Sequence, residues 1–184
     1  MFKLFNEEDE NKFTWDSIGD VIDGRKNLGE EMPVYVYRLF QFTIKDVLAK
    51  RYGNEATVEI FRAAGELAGK EFANHLLDLS LPFDAFIAHL GKVLEESKIG
   101  ILRVEKFDLD TGAAVLTVGE DLDCSGLPVT GETVCNYDEG FLAGVLKEYT
   151  KKDYVVTEVD CWATGSRVCR FEANVRKPDE RDHE

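Results

Sequence analysis

The chain has 184 residues, of which 44% are hydrophobic, and it carries a net charge of −14. This length predicts one domain with a core large enough to fold without disulfides, and the hydrophobic content excludes a wholly disordered chain. The acidic charge repels phosphate and anionic lipid, so it disfavours nucleic-acid and membrane-surface partners. No apolar run approaches the roughly 18 residues of a membrane span, and the N-terminus lacks the apolar core of a signal peptide. We therefore expect a cytoplasmic protein whose four cysteines are free, metal-bound or reactive.

Composition predicts one domain with two polar ends. Residues 1–17 form a predicted charged N-terminal tail, residues 18–176 a single domain, and residues 177–184 a polar C-terminal tail. No low-complexity linker or internal repeat interrupts the middle segment. The sequence therefore gives no sign of a second domain.

Four segments have apolar residues at helical spacing. They are residues 35–51, residues 55–77, a segment that starts near Pro82, and residues 138–150. On the second of these, Gly65 and Gly69 lie four residues apart, although each glycine costs a helix about 1 kcal/mol relative to alanine. Their spacing allows close approach by another backbone or by a ligand, and tight packing between helices is the simpler explanation.

Two further pairs of segments predict β-hairpins. Residues 99–107 and 113–119 are rich in β-branched and aliphatic side chains and flank a turn at 108–112. Residues 154–162 and 167–175 form the second pair, which turns around Gly165. The order of helices, hairpin, helix and hairpin predicts an α+β domain. Its mostly antiparallel sheet of two hairpins packs with about four helices.

Cysteines placed around the last hairpin are candidate metal ligands. Cys161 and Cys169 are equidistant from Gly165, so they face each other across the strands, where Cβ atoms lie roughly 4.5–5.5 Å apart. Two thiolates on one tetrahedral zinc lie a little under ~4 Å apart when each is about 2.3 Å from the metal. The pair is therefore placed to bind one ion.

Two other residues complete a candidate set of four. Glu158 lies three residues before Cys161, which in a regular strand puts the two on opposite faces, so a bulge or early turn near Cys161 is needed. Cys135, just before the fourth helix, can join them only through tertiary folding. Three alternatives remain open: buried free thiols, a disulfide across the strands, and a four-cysteine site with Cys124 in place of Glu158.

Common enzyme motifs are missing from the chain. It contains no glycine-rich dinucleotide fingerprint, no phosphate-binding Gly-Lys-Ser/Thr loop and no Gly-x-Ser-x-Gly elbow. We assign no catalytic residue and favour a protein that is not an enzyme.

An ordered set of motifs resembles the 4-vinyl-reductase domain family. The matching segments are residues 18–20, 24–25, 28–29, 61–69, 124–128 with Cys135, 139–144 and 158–171. The resemblance covers about residues 18–176, and its most specific part is the spacing Glu-x₂-Cys-x₇-Cys that ends the set.

This resemblance implies a fold, a metal and a ligand class. The family includes the effector-sensing domains of phenol-responsive regulators, and its fold is similar to that of TRAPP-type trafficking subunits and haem nitric-oxide sensors. It implies an enclosed apolar cavity, a homodimer, and a structural zinc ion held by Cys135, Glu158, Cys161 and Cys169. In that pattern Cys124 is a buried thiol without a ligand role.

The leading hypothesis is a non-catalytic, zinc-stabilised domain that binds a small hydrophobic or aromatic molecule. The ligand-binding residues stay unknown, with Phe61, Phe72, Phe86 and Trp162 as speculative candidates, each of a kind that is more often plain core. One alternative is an enzyme or accessory subunit that acts on a tetrapyrrole vinyl group. Another is a structural assembly subunit.

Overall fold

The computed structural model describes residues 12–108 and 110–177. Its helices are α1 (Val21–Gly24), α2 (Val34–Tyr52), α3 (Asn54–Leu76), α4 (Phe83–Glu96) and α5 (Asn136–Thr150). Its strands are β1 (Ile101–Phe107), β2 (Ala114–Gly119), β3 (Tyr154–Asp160) and β4 (Val168–Val175), and two 3-10 turns span Trp15–Ile18 and Trp162–Thr164. Within the described part of the chain, no helix has both the length and the apolar composition needed to cross a bilayer.

The predicted α+β class is confirmed. The four long helices α2 to α5 and both hairpins form where the sequence predicts them, with ends that differ by a few residues. The one-turn helix α1 was not predicted. Of the two predicted tails, residues 1–11 and 178–184 lie outside the described residues.

The chain divides into two compact units, Met1–Pro33 and Val34–Glu184. In the described part of the first unit, the Asp20 carboxylate accepts a hydrogen bond from the Asp23 backbone N–H and so caps α1. The second unit contains the sheet and the four long helices.

The four strands form one antiparallel sheet in the order β1-β2-β4-β3. Each hairpin pairs within itself, and the pairing of β2 with β4 joins the two. Along β3, side chains alternate between buried and exposed, so Tyr154, Val156 and Glu158 point into the protein. The register of β3 against β4 shifts between Glu158 and Asp160, which is a β-bulge at the end of the strand.

Helices α3 and α5 pack with their backbones in contact. The residues at the contact are Gly65 and Gly69 of α3 and Gly140 and Gly144 of α5. A Cβ atom at Gly65 would lie 2.0 Å from the Tyr137 carbonyl oxygen, and one at Gly69 would lie 2.1 Å from the Phe141 carbonyl oxygen. Because the contact positions rise together along both helices, α3 and α5 run parallel. The two predicted glycines therefore admit another backbone and not a ligand.

Two hydrophobic cores lie on the two sides of α5. One core joins α5 to the inner face of the sheet, where Leu142 and Leu146 contact strand residues such as Phe171. The other joins α5 to α3 and α4 and contains Phe86 and Val145, both fully buried. Because α5 is covered on nearly every face, the start of this helix has a fixed position relative to the sheet.

Helix α2 turns polar side chains toward the rest of its unit and apolar side chains toward solvent. The outward set, here called the α2 stripe, consists of Val36, Leu39, Phe40, Ile44 and Val47, all of which are exposed. The inward set binds the segment between β2 and α5 through Tyr37, Arg38, Gln41 and Lys45. The helical spacing predicted from the sequence is confirmed, but hydrogen bonds rather than apolar contacts determine which side of α2 faces inward.

Candidate metal centre

Four cysteines and one glutamate meet at the end of the sheet beside the start of α5. The five are Cys124, Cys135, Glu158, Cys161 and Cys169, and all are buried. One potential ligand atom from each lies within 4.8 Å of the corresponding atoms of the others. Thiolate and carboxylate are both ligands of zinc, so the donor set fits such an ion.

Different elements bring these donors together. Cys135 is the residue that precedes the first turn of α5, and Cys169 is the second residue of β4. Cys161 follows the β-bulge and starts the 3-10 turn, where its backbone N–H donates to Thr164 Oγ1 at 3.0 Å. Cys124 lies in the segment between β2 and α5, far from the others in sequence. Tertiary folding, and not a short local motif, therefore builds the cluster.

The sulfur separations are those of thiols that can share an ion. Cys135 Sγ lies 3.8 Å from both Cys161 Sγ and Cys169 Sγ. Two thiolates on one tetrahedral zinc lie a little under ~4 Å apart, so these two distances match. Cys124 Sγ lies 3.0 Å from Cys169 Sγ, which is longer than the roughly 2.0 Å of a disulfide. All four cysteines are free.

Glu158 has one carboxylate oxygen engaged and the other open. Its Oε2 accepts hydrogen bonds from the backbone N–H groups of Val134 at 3.1 Å and Cys135 at 3.0 Å. Its Oε1 is buried and has no hydrogen-bond partner among residues 12–108 and 110–177. Burial raises the pKa of Glu158 to about 8, and the nearby Cys161 thiol adds to the effect. A buried carboxylate oxygen without a hydrogen-bond partner, beside the four thiols, is chemically able to bind a cation.

Neighbouring thiols also shift the pKa values of two cysteines in opposite directions. Contacts with the Cys124, Cys135 and Cys169 thiols lower the pKa of Cys161, because three sulfur groups can donate to one thiolate. Contacts with the Cys124, Cys161 and Cys169 thiols, led by that with Cys124, raise the pKa of Cys135.

A second carboxylate fixes the position of Glu158. Glu139 on α5 accepts a hydrogen bond from the Glu158 backbone N–H at 2.8 Å through Oε1. Its Oε2 accepts from Arg62 Nε of α3 at 2.6 Å and from Asn136 Nδ2 at 3.2 Å. Glu139 therefore joins α3, α5 and β3 directly behind the donor cluster.

The segment that carries Cys124 is held from two directions. Within it, Asp121 Oδ1 accepts from the backbone N–H groups of Asp123 at 2.9 Å and Cys124 at 3.0 Å, which fixes a tight turn. From outside, Arg38 of α2 donates to the carbonyl oxygens of Leu122 and Ser125. Burial raises the pKa of Asp121 to about 6, and the adjacent charge of Asp123 adds to this rise.

The structure brings together the four residues predicted as metal ligands, Cys135, Glu158, Cys161 and Cys169. The bulge that this set requires is present between Glu158 and Asp160. Cys124 joins the same cluster, although the family pattern gave it no ligand role. The one indication in the sequence that Cys124 belongs to the cluster was the open alternative of a four-cysteine site with Cys124 in place of Glu158.

The four speculative ligand-binding aromatics occupy different surroundings. Phe72 packs edge-on against Phe141, and Phe86 stacks on Tyr149, both within the helical core. Phe61 is buried on α3 beneath the Lys45 ammonium group, which lies 5.7 Å from its ring centre. Trp162 is half-buried next to Cys161, with the Arg167 guanidinium 4.8 Å from its ring centre.

A cleft of about 450 Å³ lies between α2, the segment after β2 and the 3-10 turn after β3. Trp162 supplies an aromatic surface to it, while Arg38 and Arg167 supply positive charge. Asp121 and Ser125 form another part of the wall, so the cleft borders the segment that carries Cys124. Its volume is within the usual range for small-molecule sites, but its wall is partly charged.

Comparison with known proteins places these features in a family. The model of the 4-vinyl-reductase domain family matches residues 114–175, the part of the chain that contains all five donors. The uncharacterized protein MJ1642 of Methanocaldococcus jannaschii is 30% identical over 152 residues, which is 82% of each chain.

Solved structures share the fold at low sequence identity. A vinyl-4-reductase family protein from M. jannaschii superposes with a TM-score of 0.60 at 19% identity, covering 90% of this chain and 98% of that one. The phenol-responsive sensory domain of the transcription activator PoxR, solved with phenol, gives 0.62 at 12% identity and covers 82% and 79%. A trafficking protein particle complex subunit 3 from Naegleria fowleri, covalently bound to palmitic acid, gives 0.60 at 10% identity and covers 78% and 95%.

Proposed function

Because this chain belongs to the 4-vinyl-reductase domain family, we propose that it is a zinc-stabilised module that binds a small hydrophobic or aromatic molecule. The observation that carries the proposal is the buried cluster of thiols with one open carboxylate oxygen, located inside the segment that the family model matches. The proposed zinc ligands are Cys135, Glu158, Cys161 and Cys169. Four protein ligands leave no open position for water or substrate, so the ion is structural.

The ion would connect parts of the chain that are distant in sequence. It would join the start of α5 through Cys135 to the end of β3 and the start of β4 through the other three ligands. Since the unfolded chain has no preformed site, the binding free energy of the ion adds to the free energy of unfolding.

The cleft beside Trp162 is the proposed binding site for the small molecule. An aromatic ligand can stack on the Trp162 ring, and the Arg167 guanidinium can bind a hydroxyl or anionic substituent. We use phenol as the probe because the PoxR sensory domain, which shares the fold, was solved with phenol.

Calorimetric titration with phenol tests this binding site. The chain has two tryptophans, Trp15 and Trp162, so Trp15→Phe is a matched control for Trp162→Leu. We expect wild type and Trp15→Phe to bind phenol equally and Trp162→Leu to bind about 3- to 10-fold more weakly, since a ring contact contributes about 0.5–1.5 kcal/mol beyond its area. Equal binding by all three proteins would exclude Trp162 from the site. Absence of saturable binding by the wild type would contradict phenol as a ligand.

We further propose that the protein forms a homodimer through the α2 stripe. Its five apolar side chains are exposed in a single chain and recur at helical spacing along α2. A second copy presents the same row, so a two-fold symmetric contact can cover both stripes while the acidic groups stay in solvent. The four free cysteines support a reducing compartment, and we accordingly propose a cytoplasmic location.

A further inference from the structure

The donor cluster contains one ligand more than a tetrahedral ion can use. We propose that Cys124 is a fifth metal ligand that exchanges with Glu158, so that three constant thiolates hold the ion together with either a carboxylate or a fourth thiolate. This inference rests on the proposed zinc site and assigns to Cys124 a role that the family pattern does not give it. The cluster geometry distinguishes constant ligands from exchanging ones.

The three constant ligands are Cys135, Cys161 and Cys169. Cys135 Sγ is 3.8 Å from each of the other two sulfurs, which is the separation that a shared tetrahedral ion requires. Cys135 directly precedes α5, Cys161 directly follows β3 and begins the 3-10 turn, and Cys169 is on β4. Each of the three therefore belongs to a strand or is next in the chain to a helix or strand, which Cys124 is not.

Cys124 lies against this set but slightly too close to one member. Its Sγ is 3.0 Å from Cys169 Sγ, 0.8 Å less than the two separations around Cys135. To share the ion, it must move outward by a fraction of an ångström. Cys124 is carried by an irregular segment and not by a helix or strand, so a shift of this size needs no change in the framework.

The Glu158 carboxylate can either coordinate the proposed ion or withdraw from it. Its Oε2 stays anchored by the backbone N–H groups of Val134 and Cys135, whether or not Oε1 contacts the ion. The carboxylate can therefore act as a monodentate ligand and can withdraw without losing its own hydrogen bonds. The side chain that replaces it, Cys124, is already within contact of a constant ligand.

Exchange of Glu158 for Cys124 as the fourth ligand would couple the metal centre to the shape of the cleft. Leu122 and Ser125, on either side of Cys124, line the cleft, and Arg38 of α2 binds the carbonyl oxygens of both. A change of ligand from Glu158 to Cys124 would therefore move part of the cleft wall.

A double-mutant cycle with Cys124→Ser and Glu158→Gln tests the exchange. Glutamine keeps an oxygen that can accept from Val134 and Cys135, and far-UV circular dichroism with the second variant Cys124→Ala checks that folding is retained. Metal content is measured on reduced protein, zinc affinity by competition with a chromophoric chelator, and the number of thiolate ligands from the sulfur-to-metal charge-transfer absorbance after Co²⁺ replacement. Cys161→Ser is the control that removes a constant ligand.

We expect each single variant to retain one zinc per chain and the double variant to lose it. If the two single substitutions acted independently, their fold-losses in zinc affinity would multiply. The double variant should bind zinc at least about tenfold more weakly than this product, because the two residues are coupled neighbours. The charge-transfer absorbance of the Co²⁺ proteins should be higher in Glu158→Gln than in Cys124→Ser, in the ratio of four thiolates to three.

Two results would overturn the exchange while leaving zinc binding intact. Loss of zinc in Glu158→Gln alone, with Cys124→Ser unchanged, would make the carboxylate the sole fourth ligand. Loss in Cys124→Ser alone, with Glu158→Gln unchanged, would make the site a fixed four-cysteine centre. Wild-type protein without metal would instead remove the zinc proposal itself, so the two failures are distinguishable.

Discussion

Glu139 is the side chain on which the position of Glu158 most directly depends. It is 2% exposed and accepts hydrogen bonds from the Glu158 backbone N–H, from Arg62 and from Asn136. Removing its carboxylate leaves these donors without their partner at the boundary of the core. A buried donor left unsatisfied costs about 1–3 kcal/mol.

We predict that Glu139→Ala lowers the free energy of unfolding by about 1–3 kcal/mol for this reason. Urea denaturation of the reduced protein measures the change. Glu96→Ala is the matched control, since Glu96 is exposed on α4 and its pairing with Lys92 at 3.7 Å is a surface ion pair of about 0–1 kcal/mol. Equal midpoints for Glu139→Ala and the wild type would contradict the bridging role of Glu139.

At the scale of single residues, side-chain chemistry identified the candidate ligands, but only the pair on the last hairpin could also be positioned from the sequence. Cys161 and Cys169 were placed together because a hairpin has a defined register around its turn, and Glu158 joined them only if a bulge formed. Cys124 could not be placed, because an irregular segment has no periodicity from which its distance to a strand can be derived.

Among the elements, the contact between α3 and α5 is the one most sensitive to a single methyl group. A Cβ atom at Gly140 would lie 1.9 Å from the Arg62 carbonyl oxygen, and one at Gly65 would lie 2.0 Å from that of Tyr137. Real Cβ atoms do not approach backbone oxygens so closely, so alanine at either position must push the helices apart. Since Cys135 directly precedes the first turn of α5, we expect this displacement to reach the donor cluster.

We predict that Gly65→Ala and Gly140→Ala each lower the free energy of unfolding by about 1–3 kcal/mol, the usual cost of overpacking. The control is Gly91→Ala on α4, where the new Cβ would have only the Leu102 carbonyl oxygen near it, at 3.8 Å. That change should raise stability by about 0.5–1 kcal/mol, because alanine is the better helix former. Thermal and urea unfolding show whether each variant raises or lowers the free energy of unfolding. A stabilising Gly140→Ala would refute the backbone contact between α3 and α5.

The elements themselves were predictable because the four long helices have apolar residues at helical spacing and the first hairpin is rich in β-branched and aliphatic residues. The outward direction of the α2 stripe could not be predicted, because the spacing of apolar residues alone does not show which face of a helix packs against the protein. Tyr37 and Gln41 decide it: both donate to the buried Asp123 carboxylate, at 2.8 and 2.5 Å. A polar contact of this kind has no signature along the chain.

For the whole molecule, the proposed homodimer is tested at the α2 stripe. Phe40 is 68% exposed, and covering such a ring in an interface contributes about 1.5–3 kcal/mol. We predict that Phe40→Asp raises the dissociation constant by at least about 10- to 100-fold, because it also introduces a negative charge into each stripe. Sedimentation equilibrium measures the constant.

Leu67→Asp is the control for this experiment, since Leu67 is exposed to 40% on α3 and lies outside the stripe. It should leave the association unchanged. A wild-type protein that sediments as a monomer at tens of micromolar would contradict the dimer, and a Phe40→Asp protein that remains dimeric would place the interface elsewhere.

The proposed zinc ion would join the start of α5 to the last hairpin. The most direct measurement is the metal content of protein purified under reducing conditions, by inductively coupled plasma mass spectrometry, combined with the melting temperature before and after chelation. We predict about one zinc per wild-type chain, substoichiometric zinc in Cys161→Ser, and a lower melting temperature once the metal is removed. Metal-free wild-type protein with four titratable thiols and a melting temperature that neither zinc nor chelator alters would contradict this proposal.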